Sequence, residues 1–397
     1  MKLFQRLLVA PAALGLLAPI TANANEVNFN AISNYSDVES LEFANSFDDT
    51  FDNNVEFEPL IAGGEGMVPD LDTVSFSETT TLSGKVEMLL GAQDGPLTTH
   101  GDATGDALTL NYHYEIDLNT SFTGEDKLNI ELAAGNMAAD SVGAFTDPLG
   151  ESSEDLHMED VNYTFPVGGW DLSVGDSMDA SKNWPNACSY GNVVDNLGDC
   201  GAANSVDLGG DISFSAGRDF DNGWSLGLGV SANEGASTDG IFTKEGDDYY
   251  GVALGYEADS YGVTVAYSQK EVREGTDSPN TGASNDKTYW GATAYWTPGD
   301  FTVSGGLEFM SPELSTDKDS TQWTVGISTE LGEGEISAGF GTNGAIDEDA
   351  EEIMAYEIKY SYPINDSVTI DTFGYVAENT GSVQDDSGIG LLTTFKF

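Results

Sequence analysis

The chain has 397 residues, with 13 Lys and Arg against 68 Asp and Glu, which gives a net charge of −55. Such a polyanion is excluded as a nucleic-acid binder, because neutralising phosphates requires clusters of Lys and Arg. High net charge is typical of disordered chains, but 10% aromatic residues and 47 glycines against 12 prolines favour an all-β protein with many turns.

Residues 1–24 have the pattern of a secretory signal peptide. Lys2 and Arg6 make a basic start, residues 7–20 are apolar, and Ala22–Ala24 is an A-x-A cleavage site. We therefore expect an exported protein. Residues 25–79 follow with 13 acids and no Lys or Arg, which predicts a solvated extension that is poorly ordered or periplasmic.

From residue 80 to residue 397, one pattern recurs. About ten residues alternate between apolar and polar or small side chains, and turn residues follow, as in Tyr261–Tyr267. Alternation with period two predicts a strand with two different faces. The sixteen segments with this pattern are 81–92, 106–118, 126–135, 157–166, 168–177, 206–219, 223–233, 247–257, 260–270, 287–297, 300–310, 319–331, 333–343, 351–362, 364–377 and 387–397.

The connections between these segments alternate between short turns and long loops. An even number of strands with short turns on one rim and long loops on the other is the pattern of outer-membrane barrels. A soluble β-sandwich or solenoid is the alternative. Aromatic pairs near segment ends, such as Tyr261 with Tyr267 and Trp290 with Trp296, are about 20–26 Å apart along a strand and match two interfacial girdles. The sequence thus predicts a 16-stranded antiparallel transmembrane β-barrel.

The leader, the sixteen segments, the acidic loops and the terminal Phe397 together resemble bacterial general porins. The first thirteen residues and the stretch Cys188–Cys200 are similar to porins of marine cyanobacteria, in the OprB-like group of carbohydrate-selective or iron-uptake porins. The resemblance implies an outer-membrane protein, a homotrimer, and a C-terminal signal in Phe395 and Phe397 that the barrel assembly machinery reads.

The two cysteines, Cys188 and Cys200, are expected to form a disulfide in an exported chain. It would close a loop of about 13 residues, worth about 3 kcal/mol in the loop-entropy model. Both lie in the longest connection, 178–205, and in similar porins the third long loop folds inward and narrows the barrel. The hypothesis is a stapled constriction loop; the alternative is a disulfide that merely stiffens a surface loop. The loop carries the side chains Asp179, Lys182, Trp184, Asp195 and Asp199.

Charged side chains on the polar faces would line a water-filled interior, and most of them are acidic. By parity they are Lys85, Glu87, His113, Glu115, Glu131, Asp171, Asp211, Glu308, Glu357, Lys359, Asp371 and Lys396. Acidic rings in pores favour cations, so we predict a weakly cation-preferring channel. The alternative is a wide lumen in which salt screens these charges within about 8 Å.

Aromatic side chains also fall on the polar faces, where they would either stack sugar rings or pack against the wall and the inner loops. They are Tyr289, Tyr295, Phe373 and Tyr375.

The long loops carry acids such as Asp147 and Glu151 or Asp347 and Glu348, which could bind Ca²⁺ or Mg²⁺ that bridges lipopolysaccharide. No EF-hand or nonapeptide calcium spacing occurs in the sequence, and no other cofactor is predicted. The histidines lack an H-E-x-x-H spacing, and there is no P-loop. We therefore predict a passive channel for ions and small hydrophilic solutes rather than an enzyme. The alternatives are a channel biased towards carbohydrate or iron, and a secreted acidic β-rich adhesin or surface-layer protein.

Overall fold

The computed structural model describes residues 79–94, 108–136, 155–191, 193, 195–233, 240–243, 246–271, 286–313, 317–381 and 383–397. The predicted signal peptide (1–24) lies outside the described residues, and so does the predicted acidic extension (25–79) except for Thr79. Asp147 and Glu151 of the acidic loops lie outside them too.

The described chain forms sixteen long strands and one strand of two residues, β14. The strands are β1 (Thr80–Asp94), β2 (Thr109–Thr120), β3 (Lys127–Gly135), β4 (His157–Val167), β5 (Trp170–Asp176), β6 (Ile212–Asp219), β7 (Trp224–Asn233), β8 (Asp247–Ala258), β9 (Tyr261–Glu271), β10 (Lys287–Trp296), β11 (Phe301–Pro312), β12 (Ser320–Leu331), β13 (Gly334–Thr342), β14 (Ile346–Asp347), β15 (Met354–Asn365), β16 (Val368–Ala377) and β17 (Asp386–Lys396). Among these residues, no helix has the length and apolar character needed to cross a bilayer.

Each long strand pairs antiparallel with its neighbours in chain order, and β1 pairs with β17 to close the ring. The prediction of a 16-stranded antiparallel barrel is therefore confirmed. The seam includes the last residue, because the N–H of Phe397 donates to the carbonyl of Gly84 at 3.0 Å and the N–H of Gly84 donates back at 2.9 Å.

The outward face of the barrel is apolar and the inward face is polar or small. On β9, Tyr261, Val263 and Val265 are exposed, whereas Thr264 and Ala266 are each only 1% exposed. A protein in water would bury the valines rather than the threonine, whereas a barrel in lipid turns its apolar face outward.

Aromatic rings form a belt near each end of the strands. At the short-turn end, the ring of Tyr256 lies 5.1 Å from that of Trp224 and 6.0 Å from that of Tyr261. At the long-loop end, the rings of Tyr267 and Trp290 lie 4.8 Å apart. Two such belts are typical of the interfaces on either side of a bilayer.

The sixth strand begins later than predicted, at Ile212 instead of residue 206. The preceding residues form a short helix, α1 (Ala203–Val206), and the carbonyl of Leu208 accepts the N–H of Ala180 at 2.7 Å. The apolar residues that suggested a strand are instead buried inside the long connection. Asp211 consequently precedes the strand, and its predicted place on it is wrong.

Candidate functional site

The connection between β5 and β6, residues 177–211, runs inside the barrel and is named here the inner loop. Its outgoing half donates three backbone N–H groups to the wall: Ala187 to Oγ1 of Thr264 on β9 (3.1 Å), Ser189 to Oγ of Ser304 on β11 (3.0 Å), and Val193 to Oε2 of Glu357 on β15 (2.8 Å). Thr264 and Glu357 alternate with exposed apolar side chains on their strands. The loop therefore follows the inward face of the wall.

The returning half of the inner loop follows the same wall back. Glu308 on β11 accepts the side-chain amide of Asn204 at 3.0 Å and the N–H of Ser205 at 2.6 Å. The hydroxyl of Ser268 and the ammonium of Lys270 on β9 donate to Asn204 at 2.6 Å and 3.0 Å. Helix α1 is thus held against β9 and β11.

Two glutamates predicted to face the lumen act as anchors for the inner loop. Glu308 is 2% exposed and Glu357 is 6% exposed. Glu357 accepts the hydroxyl of Tyr190 as well as the N–H of Val193. Hydrogen bonds to a charged group contribute about 1.5–3 kcal/mol each, so these carboxylates fix the loop rather than offer free charge to a solute.

The rings of Trp184 and Tyr190 fit against the wall where glycine leaves room. A Cβ atom at Gly227 or Gly251 would lie 2.6 Å from the ring of Trp184, and one at Gly326 would lie 2.3 Å from the ring of Tyr190. Trp184, which was predicted within the constriction loop, accordingly packs on the wall of β7 and β8.

Cys188 and Cys200 form the expected disulfide, with their Cα atoms 5.7 Å apart. Cys188 lies on the outgoing half of the inner loop and Cys200 on the returning half. Cys200 is fully buried, and the hydroxyl of Ser304 lies 3.2 Å from its sulfur. The disulfide thus joins the two halves of the loop against the inner wall, not at an outer surface.

The far end of the inner loop packs into an apolar cluster on the other side of the ring. Val193 and Leu197 are buried with Leu89 of β1, Leu392 of β17 and Phe373 of β16, and Tyr375 and Ala355 complete the contact. Phe373 and Tyr375 are 5% and 4% exposed. Both rings therefore serve in packing, the second of the two roles considered for them.

Asp179 and Lys182 are exposed on the inner loop, and Asp199 is half-buried beside the amide of Asn186, 3.1 Å away. Enclosure within the barrel raises the pKa of Asp179 to about 6, and the negative charge of Asp207 adds to this effect. The pKa of Asp199 is raised to about 6 for the same two reasons. The side chain of Asp195 lies outside the described residues.

The inward face of β2–β4 carries a second set of acids. Asp117 accepts the side-chain amide of Asn129 at 2.8 Å, and Asp160 accepts that of Asn162 at 2.6 Å. Glu131 lies between these pairs, since it is the register partner of both Asp117 and Asp160. All three acids are partly exposed, so this part of the wall is anionic.

The remaining predicted interior charges are more dispersed. Lys85 contacts Glu87 and Glu115. On the other strands Asp171 and Lys396 are exposed, and Lys359 and Asp371 are half-buried. Arg218, the one arginine within the described residues, lies 5.9 Å from the ring of Trp170 and 5.1 Å from that of Phe220, and it shares the parity of the exposed Phe214 on the outward face.

The sequence 223–227 reads G-x-S-x-G, a pattern found around the nucleophile of some hydrolases. A nucleophile elbow is a sharp turn between a strand and a helix. Ser225 instead lies on β7, paired with Asp219 and Gly255 of the neighbouring strands. The motif therefore has no catalytic geometry here.

Comparison with known proteins identifies the family. The sequence model of the Gram-negative porins matches residues 73–382. The chain belongs to the Gram-negative porin family. No curated protein sequence matches this porin significantly.

Solved porin structures share the fold. A mutant of Rh. blastica porin superimposes with a TM-score of 0.51 at 15% identity, over 80% of this chain and 100% of that chain. OmpT of Vibrio cholerae, an outer membrane protein in its trimer form, gives a TM-score of 0.54 at 12% identity, over 80% of this chain and 99% of the other. The family and the barrel are those of outer-membrane channels, not of enzymes.

Proposed function

We propose that this porin is a passive, weakly cation-preferring channel of the outer membrane for ions and small hydrophilic solutes. The observation that carries the proposal is the inner loop, which lies inside a closed barrel and is fixed to the wall by Glu308 and Glu357. A loop held in this way sets the size of the passage beside it. Solutes would be selected by size first and by charge second.

The cation preference rests on the inward charged side chains other than the two anchors, Glu308 and Glu357. The loop offers Asp179 and Asp199 against Lys182, and the wall of β2–β4 offers Asp117, Glu131 and Asp160. Arg218 lies on the outward face, stacked on aromatic rings. Pores lined by acidic side chains favour cations, and salt screening keeps the preference weak.

The reversal potential of the purified protein in a planar bilayer under a KCl gradient tests this proposal. We expect a potential of the sign that K⁺ preference produces, and a smaller one in the Asp179→Asn/Asp199→Asn variant. Asp221→Asn is the matched control, because Asp221 is exposed in a short turn between β6 and β7, away from the inner loop. Anion preference of the parent protein would refute the proposal.

A channel biased towards carbohydrate or iron, as the OprB-like resemblance implies, is the second candidate. Stacking of sugars would need accessible rings, yet Tyr289 is 7% exposed and Phe373 is 5% exposed, which favours the general channel. Graded sugars added to a conducting channel distinguish the two. We expect current to fall smoothly with sugar size and no block by one sugar at low concentration.

The proposal also covers how the chain is exported, inserted into the outer membrane and assembled. A signal peptide (1–24) exports the chain, and Phe395 and Phe397 present the C-terminal strand to the barrel assembly machinery. The Vibrio cholerae OmpT structure is described as a trimer, and we propose a homotrimer here too. Acidic residues between β13 and β15 such as Asp347 and Glu348 would bind Ca²⁺ or Mg²⁺ that bridges lipopolysaccharide.

A further inference from the structure

Four side chains on the inward face of β1 and β2 form a compact cluster that the channel function does not use. Lys85 and Glu87 alternate on β1, and their register partners across the strand pair are Glu115 and His113. The ammonium of Lys85 lies 2.9 Å from Oε1 of Glu115 and 3.3 Å from Oε2 of Glu87. Nε2 of His113 lies 3.0 Å from the same Oε1 of Glu115.

The three potential metal ligands of this cluster are already close together. One ligand atom from each of Glu87, His113 and Glu115 lies within 4.8 Å of the others. Imidazole nitrogen with carboxylate oxygen is a ligand set that Zn²⁺ and other divalent transition metals accept, at about 2.0–2.2 Å from the ion. Small side-chain movements would bring all three atoms to that distance.

Two members of the cluster are buried with unsatisfied polar atoms. His113 is 5% exposed and Glu87 is 6% exposed. Within the described residues, Nδ1 of His113 makes no hydrogen bond, and Oε2 of Glu87 has the Lys85 ammonium 3.3 Å away without the geometry of a hydrogen bond. A buried carboxylate oxygen and a buried imidazole nitrogen without well-formed hydrogen bonds indicate a cation site that the cation now in it fits poorly.

That occupant is the Lys85 ammonium, and it can be displaced. Its side chain is 32% exposed, so it can turn into the lumen while the two carboxylates stay in place. A divalent transition-metal ion brings twice the charge and forms a coordinate bond with the lone pair of an imidazole nitrogen, which is stronger than the hydrogen bond that an ammonium can offer. We propose that Glu87, His113 and Glu115 form an exchangeable binding site for a divalent transition-metal cation, with Lys85 as its tethered competitor.

Calorimetric titration of the folded protein in detergent with Zn²⁺, in excess Mg²⁺ to saturate the acidic surface, tests the site. We expect His113→Asn to weaken Zn²⁺ binding by about tenfold or more. We expect Lys85→Met to strengthen it by about tenfold, because a positive charge within a few ångströms is removed. A misfolded site is expected to lose affinity rather than gain it, so this second variant keeps the test decisive even if His113→Asn folds poorly.

His157→Asn is the matched control. Nε2 of His157 lies 2.6 Å from Oε2 of Glu159 two residues along, the same local pair as in His113 and Glu115, but both side chains are open to solvent. This variant should bind Zn²⁺ like the parent. Unchanged binding in His113→Asn, a loss confined to His157→Asn, or no gain in Lys85→Met would overturn the proposal. The titration needs no open channel, so its failure is separate from a failure of the channel function.

Discussion

At the scale of single residues, glycines of the inner wall decide where the inner loop can lie. Parity places Gly326 and Gly339 on the inward face, but only the structure shows that both make room for one ring, that of Tyr190. A Cβ atom would lie 2.3 Å from that ring at Gly326 and 2.5 Å from it at Gly339. The position of the inner loop therefore depends on wall residues that have no side chain.

We expect Gly326→Ala to lower the free energy of unfolding by about 1–3 kcal/mol, the usual cost of overpacking a filled site. Gly374→Ala is the matched control, since a Cβ atom there would meet its nearest neighbour at an ordinary 3.5 Å. Denaturant titration of the folded fraction measures both. Equal destabilisation by the two variants would contradict the packing argument.

The raised pKa values of Asp179 and Asp199, both about 6, predict a pH-dependent selectivity. The two carboxyls are ionised at pH 8 and protonated at pH 5, so the cation preference should fall as the pH is lowered between these values. Each folded-state pKa lies above the unfolded value, so protonation of either group favours the folded state. The free energy of unfolding therefore rises as the pH falls through about 6.

Reversal potentials at pH 8 and pH 5 measure this effect. The Asp179→Asn/Asp199→Asn variant should lose a large part of the pH dependence in this range. If that variant keeps the full pH dependence of the cation preference, other acids must cause it.

At the scale of elements, the disulfide and the two glutamates act on the same loop from different sides. Cys188–Cys200 joins its outgoing and returning halves, while Glu308 and Glu357 tie those halves to β11 and β15. The loop is thus constrained both internally and against the wall.

Replacing both cysteines by serine should leave the barrel intact but loosen the inner loop. The expected loss is about 3 kcal/mol in the loop-entropy model, felt locally because the wall anchors remain. Single-channel recordings should show larger current fluctuations and a higher solute size limit than the parent. Identical conductance and size limit would mean that the disulfide does not shape the passage.

Strands were predictable from sequence because lipid on one side and water on the other impose alternation along every segment. The start of β6 was not, since Val206 and Leu208 are apolar for a different reason: they are buried within the inner loop. The roles of Glu308 and Glu357 were also hidden. Parity gives the direction of a side chain, whereas the partners it meets come from a loop whose path depends on long-range contacts.

The cluster around His113 shows the same limit. Parity placed Lys85, Glu87, His113 and Glu115 on one face, but their closeness depends on the register between β1 and β2. Neighbouring strands could have slipped by two residues without changing either face.

At the scale of the whole molecule, the surface is inverted relative to that of a water-soluble protein. Large apolar side chains such as Trp290 and Ile358 are exposed on the outward face, and serines and threonines are buried within. This inversion, with the seam between β1 and β17 closed, favours a membrane channel over a secreted adhesin.

A closed barrel of sixteen strands should resist detergent until it is heated. We expect the unheated protein in SDS to migrate differently from the boiled protein, and to remain in solution only with detergent. The cysteine-free variant is the control that separates the barrel from the disulfide. Identical migration before and after boiling, with solubility in plain buffer, would contradict the membrane assignment.

The apolar cluster at the far end of the inner loop joins Val193 and Leu197 to Leu89 of the first strand and Leu392 of the last. The segment that narrows the passage therefore also braces the joint where the cylinder is sealed. Shortening this loop to engineer a wider pore would weaken that joint, so compensating apolar substitutions along β1 and β17 belong in any such design.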